Sequence, residues 1–146
     1  MGIKTHRPKV GEILECDYGL FSEKNHPNGH IPPEIIKKRM VVVLNGKLNG
    51  LALVVPVSST KSLNGIQNGH HIEISPDLLK VTAFYDKRQR WAKAELIQSV
   101  SRERLHHIYD KGNKLIQYLP RELVEQIQKA VIKAINAKTL LDNEAE

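Results

Sequence analysis

One cysteine, Cys16, two phenylalanines, four tyrosines and one tryptophan stand in a chain of 146 residues. A lone cysteine excludes an intramolecular disulfide and any zinc site built on paired thiolates, in keeping with a reducing compartment, and Cys16 is expected simply to pack. Long apolar runs are missing too. The two longest, residues 41–44 and 51–57, fall far short of the ~20 residues that a transmembrane helix needs, so no membrane partner is expected. The opening MGIKTHRPKVG has no apolar core of a secretory signal, and Thr5 lies one place too early for the N-myristoylation pattern. The chain is therefore expected in the cytoplasm. Also absent are a glycine-rich phosphate loop, H-E-x-x-H and G-x-S-x-G, which removes most nucleotide-using and zinc-hydrolase classes.

Against these absences stands a surplus of positive charge: 22 Lys and Arg face 16 Asp and Glu, giving a formal net charge of +6 and a sequence pI of about 9.5. Clustered cations gain affinity by displacing counterions from phosphates, so the surplus points to a polyanionic partner. At about 100–200 residues per domain, residues 1–146 make one unit. Its 40% hydrophobic and 26% charged residues are those of a globular chain.

The pattern along the chain is mostly β. A first strand is expected over residues 10–16, where Leu14 and Cys16 share one face and Glu15 and Asp17 the other. Residues 19–33, GLFSEKNHPNGHIPP, carry three prolines and an Asn-Gly pair, which predicts a long loop beside the rest of the fold. Residues 40–44 and 51–57 are rich in Val and Leu and flank NGKLNG, whose Asn-Gly pairs signal a hairpin. A turn-rich stretch, 58–69, leads into a strand over 70–74. Residues 81–85 and 91–100 are predicted as a last pair of strands around the turn DKRQR. About six short strands spaced by Gly, Asn and Pro predict a small barrel over residues 8–105. Ser101 is expected to cap a short helical turn. Apolar residues at 123, 124, 127, 131, 134 and 135 predict an amphipathic helix over about 120–138, with Pro120 at its start and a frayed acidic tail, DNEAE, after it.

Three groups of residues carry candidate chemistry. Lys37, Lys38 and Arg39 stand where the long loop enters a strand and can face one phosphate backbone, or equally solvate a strand edge. Ser58, Ser59, Thr60 and Lys61 end an apolar strand in three hydroxyls and a cation. Trp91, Lys93 and Glu95 alternate, which predicts one shared strand face for a cation and a carboxylate. The chain has seven histidines, but His70-His71 and His106-His107 are adjacent pairs whose side chains diverge by about 100° on a helix or point to opposite faces of a strand. They read as surface or turn histidines, and no metal or other cofactor is expected.

In this order the pieces resemble the PemK/MazF family of bacterial toxins, from about Pro8 to Ile135. Gly11-Glu12-Ile13-Leu14 with Asp17 looks like the family's opening strand. Lys38-Arg39-Met40 and the valines after it are similar to its K-R-P-hydrophobic strand, with Arg39 at the functional arginine. Pro56-Val57-Ser58-Ser59 is similar to P-[IV]-T-S, which puts Ser58 at the functional threonine. Lys93-Ala94-Glu95 is similar to R-C-D, and Val100 to Leu105 to the closing [IV]-D-K-x-R-L segment. Met40, Ser58 and Leu96-Ile97-Gln98 depart from the pattern and mark a divergent branch.

The resemblance implies a small SH3-like β-barrel with a C-terminal helix, usually a homodimer, that cuts single-stranded RNA without a metal and is silenced by an antitoxin protein. Such cleavage needs a group to take the 2′-hydroxyl proton, charge stabilisation at phosphorus and an acid for the leaving oxygen. Arg39 is a poor base because it stays protonated, which suits charge stabilisation, with the acid role as a second expectation. Glu95 is the expected base, Lys93 holds phosphate and Ser58 donates to an oxygen. His26 or His30 in the long loop is the alternative base. Trp91, Phe21 and Tyr18 are candidates for stacking bases. Two other classes remain open: a non-catalytic toxin of the same fold that binds DNA gyrase, as CcdB does, and a non-toxic nucleic-acid-binding barrel. The terminal AINAKTLLDNEAE lacks the aromatic residue that a gyrase-binding helix would use.

Overall fold

The computed structural model describes residues 7–21 and 29–142. Its sheet is antiparallel and built from β1 (Ile13–Asp17), β2 (Lys38–Leu48), β3 (Leu51–Ser58), β4 (His71–Ile74), β5 (Arg90–Lys93), β6 (Gln98–Ser101) and β7 (Leu105–His106). A helical turn, α1 (Leu63–Gln67), precedes β4, and a small hairpin, β8 (Ile108–Asp110) with β9 (Asn113–Leu115), leads to the helices α2 (Arg121–Ala134) and α3 (Thr139–Asp142). The strand path runs β4-β5-β3-β2-β1-β7, and β6 joins the other end of β3. The expected mainly β fold with a C-terminal helix is present. Among the described residues the path ends at β4 and β7 without closing into a full barrel.

Residues 40–44 are apolar without alternation because both faces of β2 are covered, which suits a continuous hydrophobic run. On one face Ile13, Met40, Val42, Val55, Val57, Ile74 and Ala92 pack against Leu123, Val124 and Ile127 of α2. On the other, Leu14, Cys16, Val41, Val43 and Val54 meet Tyr18, Val100 and Leu105. Cys16 packs as expected: burial pushes its thiol from 9.0 up to about 12. We therefore expect no labelling of Cys16 by iodoacetamide at pH 8 until denaturant unfolds the chain. Between pH 9 and 12 the unfolded chain loses this proton and the folded chain keeps it, so stability falls as pH rises through that window. Labelling of the folded protein at the rate of the unfolded one would contradict the buried site.

Several elements differ from the sequence expectation, each for a local reason. Of the two Asn-Gly pairs, only Asn49-Gly50 turns the β2–β3 hairpin, with φ of 30° and 85°. Asn45-Gly46 stays inside β2 at a register irregularity. A Cβ on Gly46 would lie 1.9 Å from the Pro8 carbonyl oxygen, so glycine is needed there for the chain to pass. Residues 81–85 form no strand, because the Thr82 hydroxyl accepts from the Phe84 and Tyr85 backbone N–H groups and folds them into a turn. The predicted strand over 91–100 is split by a 3₁₀ turn, Ala94–Leu96. Ser101 does cap a short turn, a 3₁₀ one over Arg102–Arg104. Helix α2 stops at Ala134 rather than near 138, followed by Asn136 at a φ of 64°. The end of the acidic tail, residues 143–146, lies outside the described residues. No helix among the described residues is long and apolar enough to cross a membrane.

Candidate active site

Register brings the candidate residues together. Cys16 of β1 faces Arg39, Val41 of β2 faces Pro56, Ser58 of β3 faces Trp91, and Lys93 of β5 faces His71 of β4. Opposed side chains share a sheet face and alternate ones return to it. Arg39, Pro56, Ser58, Trp91, Lys93 and His71 therefore all leave the same face, and continuing the β2–β3 register by two residues sets Arg39 across from Ser58. Toward β6 and β7 this face is covered by Val100 and Leu105. Toward β5 it opens into a cavity of about 440 Å³.

The polar wall of that cavity is Glu34, Lys37, Arg39, Ser58, Thr60 and Lys93, over an apolar floor that includes Pro56, Val57 and Leu96. Three cations and one carboxylate converge there, a field suited to an anionic ligand. Arg39 lines the cavity and is held by a hydrogen bond from Nε to the Ile36 carbonyl, 2.8 Å. Ser58 Oγ accepts from the Thr60 N–H at 3.0 Å, so its own proton is available to donate. Glu34 was not singled out from sequence. Its Oε1 accepts from the Ile31 N–H at 2.6 Å, which fixes the carboxylate at the end of the long loop. Lys37 takes a left-handed φ of 71° and ties that loop shut: its N–H donates to the Gly19 carbonyl and its carbonyl accepts from Tyr18.

Glu95 departs from its expected place. The 3₁₀ turn breaks the alternation after Lys93, and the Glu95 carboxylate receives His71 Nε2 at 2.6 and 2.9 Å instead of lining the cavity. His71 is not a surface histidine either: its side chain is 4% exposed, and its buried Nδ1 has no hydrogen-bond partner. The ring lies flush on α1, where a Cβ on Gly65 would come within 2.2 Å of it. Trp91 is 6% exposed and so presents no open ring to a base, which corrects its expected stacking role, and Tyr18 is buried likewise. Lys38 and Lys61 are exposed and lie off the cavity wall, as does the half-buried His30. Phe21 lines the cavity, and Ser59 lines a neighbouring hollow. His26 lies outside the described residues. Among the described residues no three His, Cys, Asp or Glu side chains gather closely enough to hold a metal ion.

Comparison with known proteins gives a consistent neighbourhood. A family model described as a PemK-like, MazF-like toxin of type II toxin-antitoxin systems matches residues 9–135. A protein of Haemophilus influenzae described as uncharacterized is 69% identical over 142 residues, covering 97% of this chain and 99% of that one. A putative uncharacterized protein of Escherichia coli, YifN, is 49% identical over 143 residues, covering 92% and 96%. Among solved structures, MazF from Deinococcus radiodurans superposes with a TM-score of 0.58 at 12% identity, covering 90% of this chain and 98% of its own. The Mycobacterium tuberculosis toxin MazF-mt6 does so with a TM-score of 0.50 at 13% identity, covering 68% and 88%. At such identities the two structures bear on the fold alone.

Proposed function

Because the chain belongs to the PemK-like, MazF-like toxin family of type II toxin-antitoxin systems, we propose that it is a cytoplasmic endoribonuclease that cuts single-stranded RNA without a metal ion. The observation that carries this reading is the convergence of Arg39, Ser58 and Lys93, drawn from three strands, on one cationic cavity. The 2′-oxygen attacks the adjacent phosphorus and the 5′-oxygen leaves, giving a 2′,3′-cyclic phosphate and a 5′-hydroxyl. Arg39 and Lys93 offset the charge that grows on the phosphorane, and Ser58 donates to a non-bridging oxygen. Glu34 is the carboxylate on the cavity wall, and we assign it the 2′-proton in place of Glu95, whose oxygens are engaged by His71. Arg39 stays a cation throughout, and solvent water protonates the leaving 5′-oxygen. The natural partners on this reading are a second copy of the chain and a cognate antitoxin protein.

Purified protein mixed with single-stranded RNA in EDTA is expected to fragment it, and Glu34→Gln is expected to slow the single-turnover rate by about 10²–10⁴-fold. An unchanged rate in Glu34→Gln with a slowed one in Glu95→Gln returns the base role to Glu95. RNA bound but left whole gives the non-catalytic binding barrel instead. RNA neither bound nor cut removes it as the substrate.

A further inference from the structure

Between β4 and β5 the chain leaves the sheet over residues 75–89, and its outermost turn holds Phe84 88% exposed. Burial is favourable for a phenylalanine ring, so this one stands in water against its own preference. The turn is pinned from several sides. Thr82 N–H donates to the Tyr85 carbonyl at 2.9 Å, and the Thr82 hydroxyl accepts from residues 84 and 85. The Tyr85 hydroxyl donates to Glu15 of β1 at 2.6 Å, and the Arg90 guanidinium lies 5.6 Å from the Tyr85 ring centre. Lys87 reaches Asp77 at 3.1 Å. With its neighbours tied down, Phe84 is held outward by the backbone.

The ring borders a hollow of about 350 Å³ shared with Ser59, Tyr85, Asp86, Arg88 and Arg90. Ser59 sits between Ser58 and Thr60, which line the catalytic cavity, so the strand end after Ser58 carries residues of both hollows, one on each side of it. Arg39 is near enough for its charge to act on the Tyr85 phenol, whose pKa burial and the Glu15 hydrogen bond push up. Asp86 grips the Arg88 guanidinium in a forked ion pair and sets its plane. One aromatic face amid two arginines, the Asp86 carboxylate that pairs with both and a hydroxyl is a poor seat for a protein's apolar patch, which needs a contiguous apolar surface. It suits a base with its phosphate, since every base has a π-face and stacking on aromatics serves single strands generally.

We propose that this hollow is a nucleobase subsite beside the scissile phosphate, with Phe84 as its stacking face and Arg88 as its cation; the assignment rests on the RNA reading above. A base leaving the catalytic cavity toward β5 stacks on Phe84, and Arg88 takes its phosphate. The probe is a short single-stranded RNA of mixed sequence with every 2′-hydroxyl methylated, so that it binds without being cut. Phe84→Ala is expected to weaken its binding about 5- to 150-fold, the range set by one stacked base, with the log–log salt slope unchanged. Phe84→Trp is expected to restore it, and Arg88→Ala to lower the slope by about 0.7. Phe84→Ala binding as the wild type does, while the wild type still cuts unmodified RNA, overturns the subsite alone. A loss that Phe84→Trp does not restore overturns stacking. A wild type that neither binds nor cuts RNA overturns the RNA reading and the subsite together.

Discussion

Arg39→Ala is expected to lower the single-turnover rate of the proposed RNA cleavage by about 10²–10³-fold, the loss that follows removal of one preorganised donor to a charged transition state. Arg39 stands at the start of β2, exposed, with its Nε fixed on the Ile36 carbonyl. That anchor turns a long flexible side chain into a fork of fixed direction, facing Ser58 across the sheet and Lys93 across the cavity. Arg39→Lys is expected to restore only part of the rate, because an ammonium offers a point charge where the guanidinium presents two parallel N–H groups. The circular dichroism spectrum and urea midpoint of Arg39→Ala stay those of the wild type, since the side chain contributes to neither apolar core. Cleavage by Arg39→Ala at the wild-type rate would remove Arg39 from the site.

Ile127→Ala costs about 2–5 kcal/mol of stability, read as a fall in urea midpoint with an unchanged m-value. Ile127 is 0% exposed and lies between α2 and the sheet face that carries Ile13, Val42, Val55 and Ala92. Removing three carbons there leaves a cavity that a sheet and a helix, each fixed by its own hydrogen bonds, cannot collapse to fill. The exposed neighbour Gln128 makes the control: Gln128→Ala stays within about 0.5 kcal/mol of the wild type. Equal effects at the two positions would mean that α2 is not docked on the sheet.

The central strands were legible in the sequence because β2 and β3 are buried on both faces and read as unbroken apolar runs. The turn between them was legible only as a region. Asn45-Gly46 and Asn49-Gly50 carry the same signal, and the passage of Pro8 over Gly46, a tertiary contact, decides which pair turns. Residues 81–85, VTAFY, have strand composition, but the Thr82 hydroxyl gives their backbone a local alternative to a ladder. The β8–β9 hairpin has little signal in the sequence because its strands are three residues each and its turn, Lys111-Gly112, is the weaker left-handed pair.

The site divides along the same line. Arg39, Ser58 and Lys93 are legible because each ends or begins a recognisable strand, in the order that the resemblance carries. Glu34 sits between two prolines and two isoleucines with no pattern of its own; its place on the cavity wall follows from how Lys37 and Gly19 close the loop. The His71–Glu95 pair spans 24 positions in sequence, and the one local sign of it, a glycine in a short helical turn, has meaning only once the ring is seen against it.

The ends of the RNA fragments test the account most directly. Wild-type protein, single-stranded RNA and EDTA are expected to yield products with a 2′,3′-cyclic phosphate and a 5′-hydroxyl, and a substrate lacking the 2′-hydroxyl at the scissile nucleotide is expected to remain whole. Fragments that carry a 5′-phosphate, or cleavage of the 2′-deoxy substrate, would contradict it.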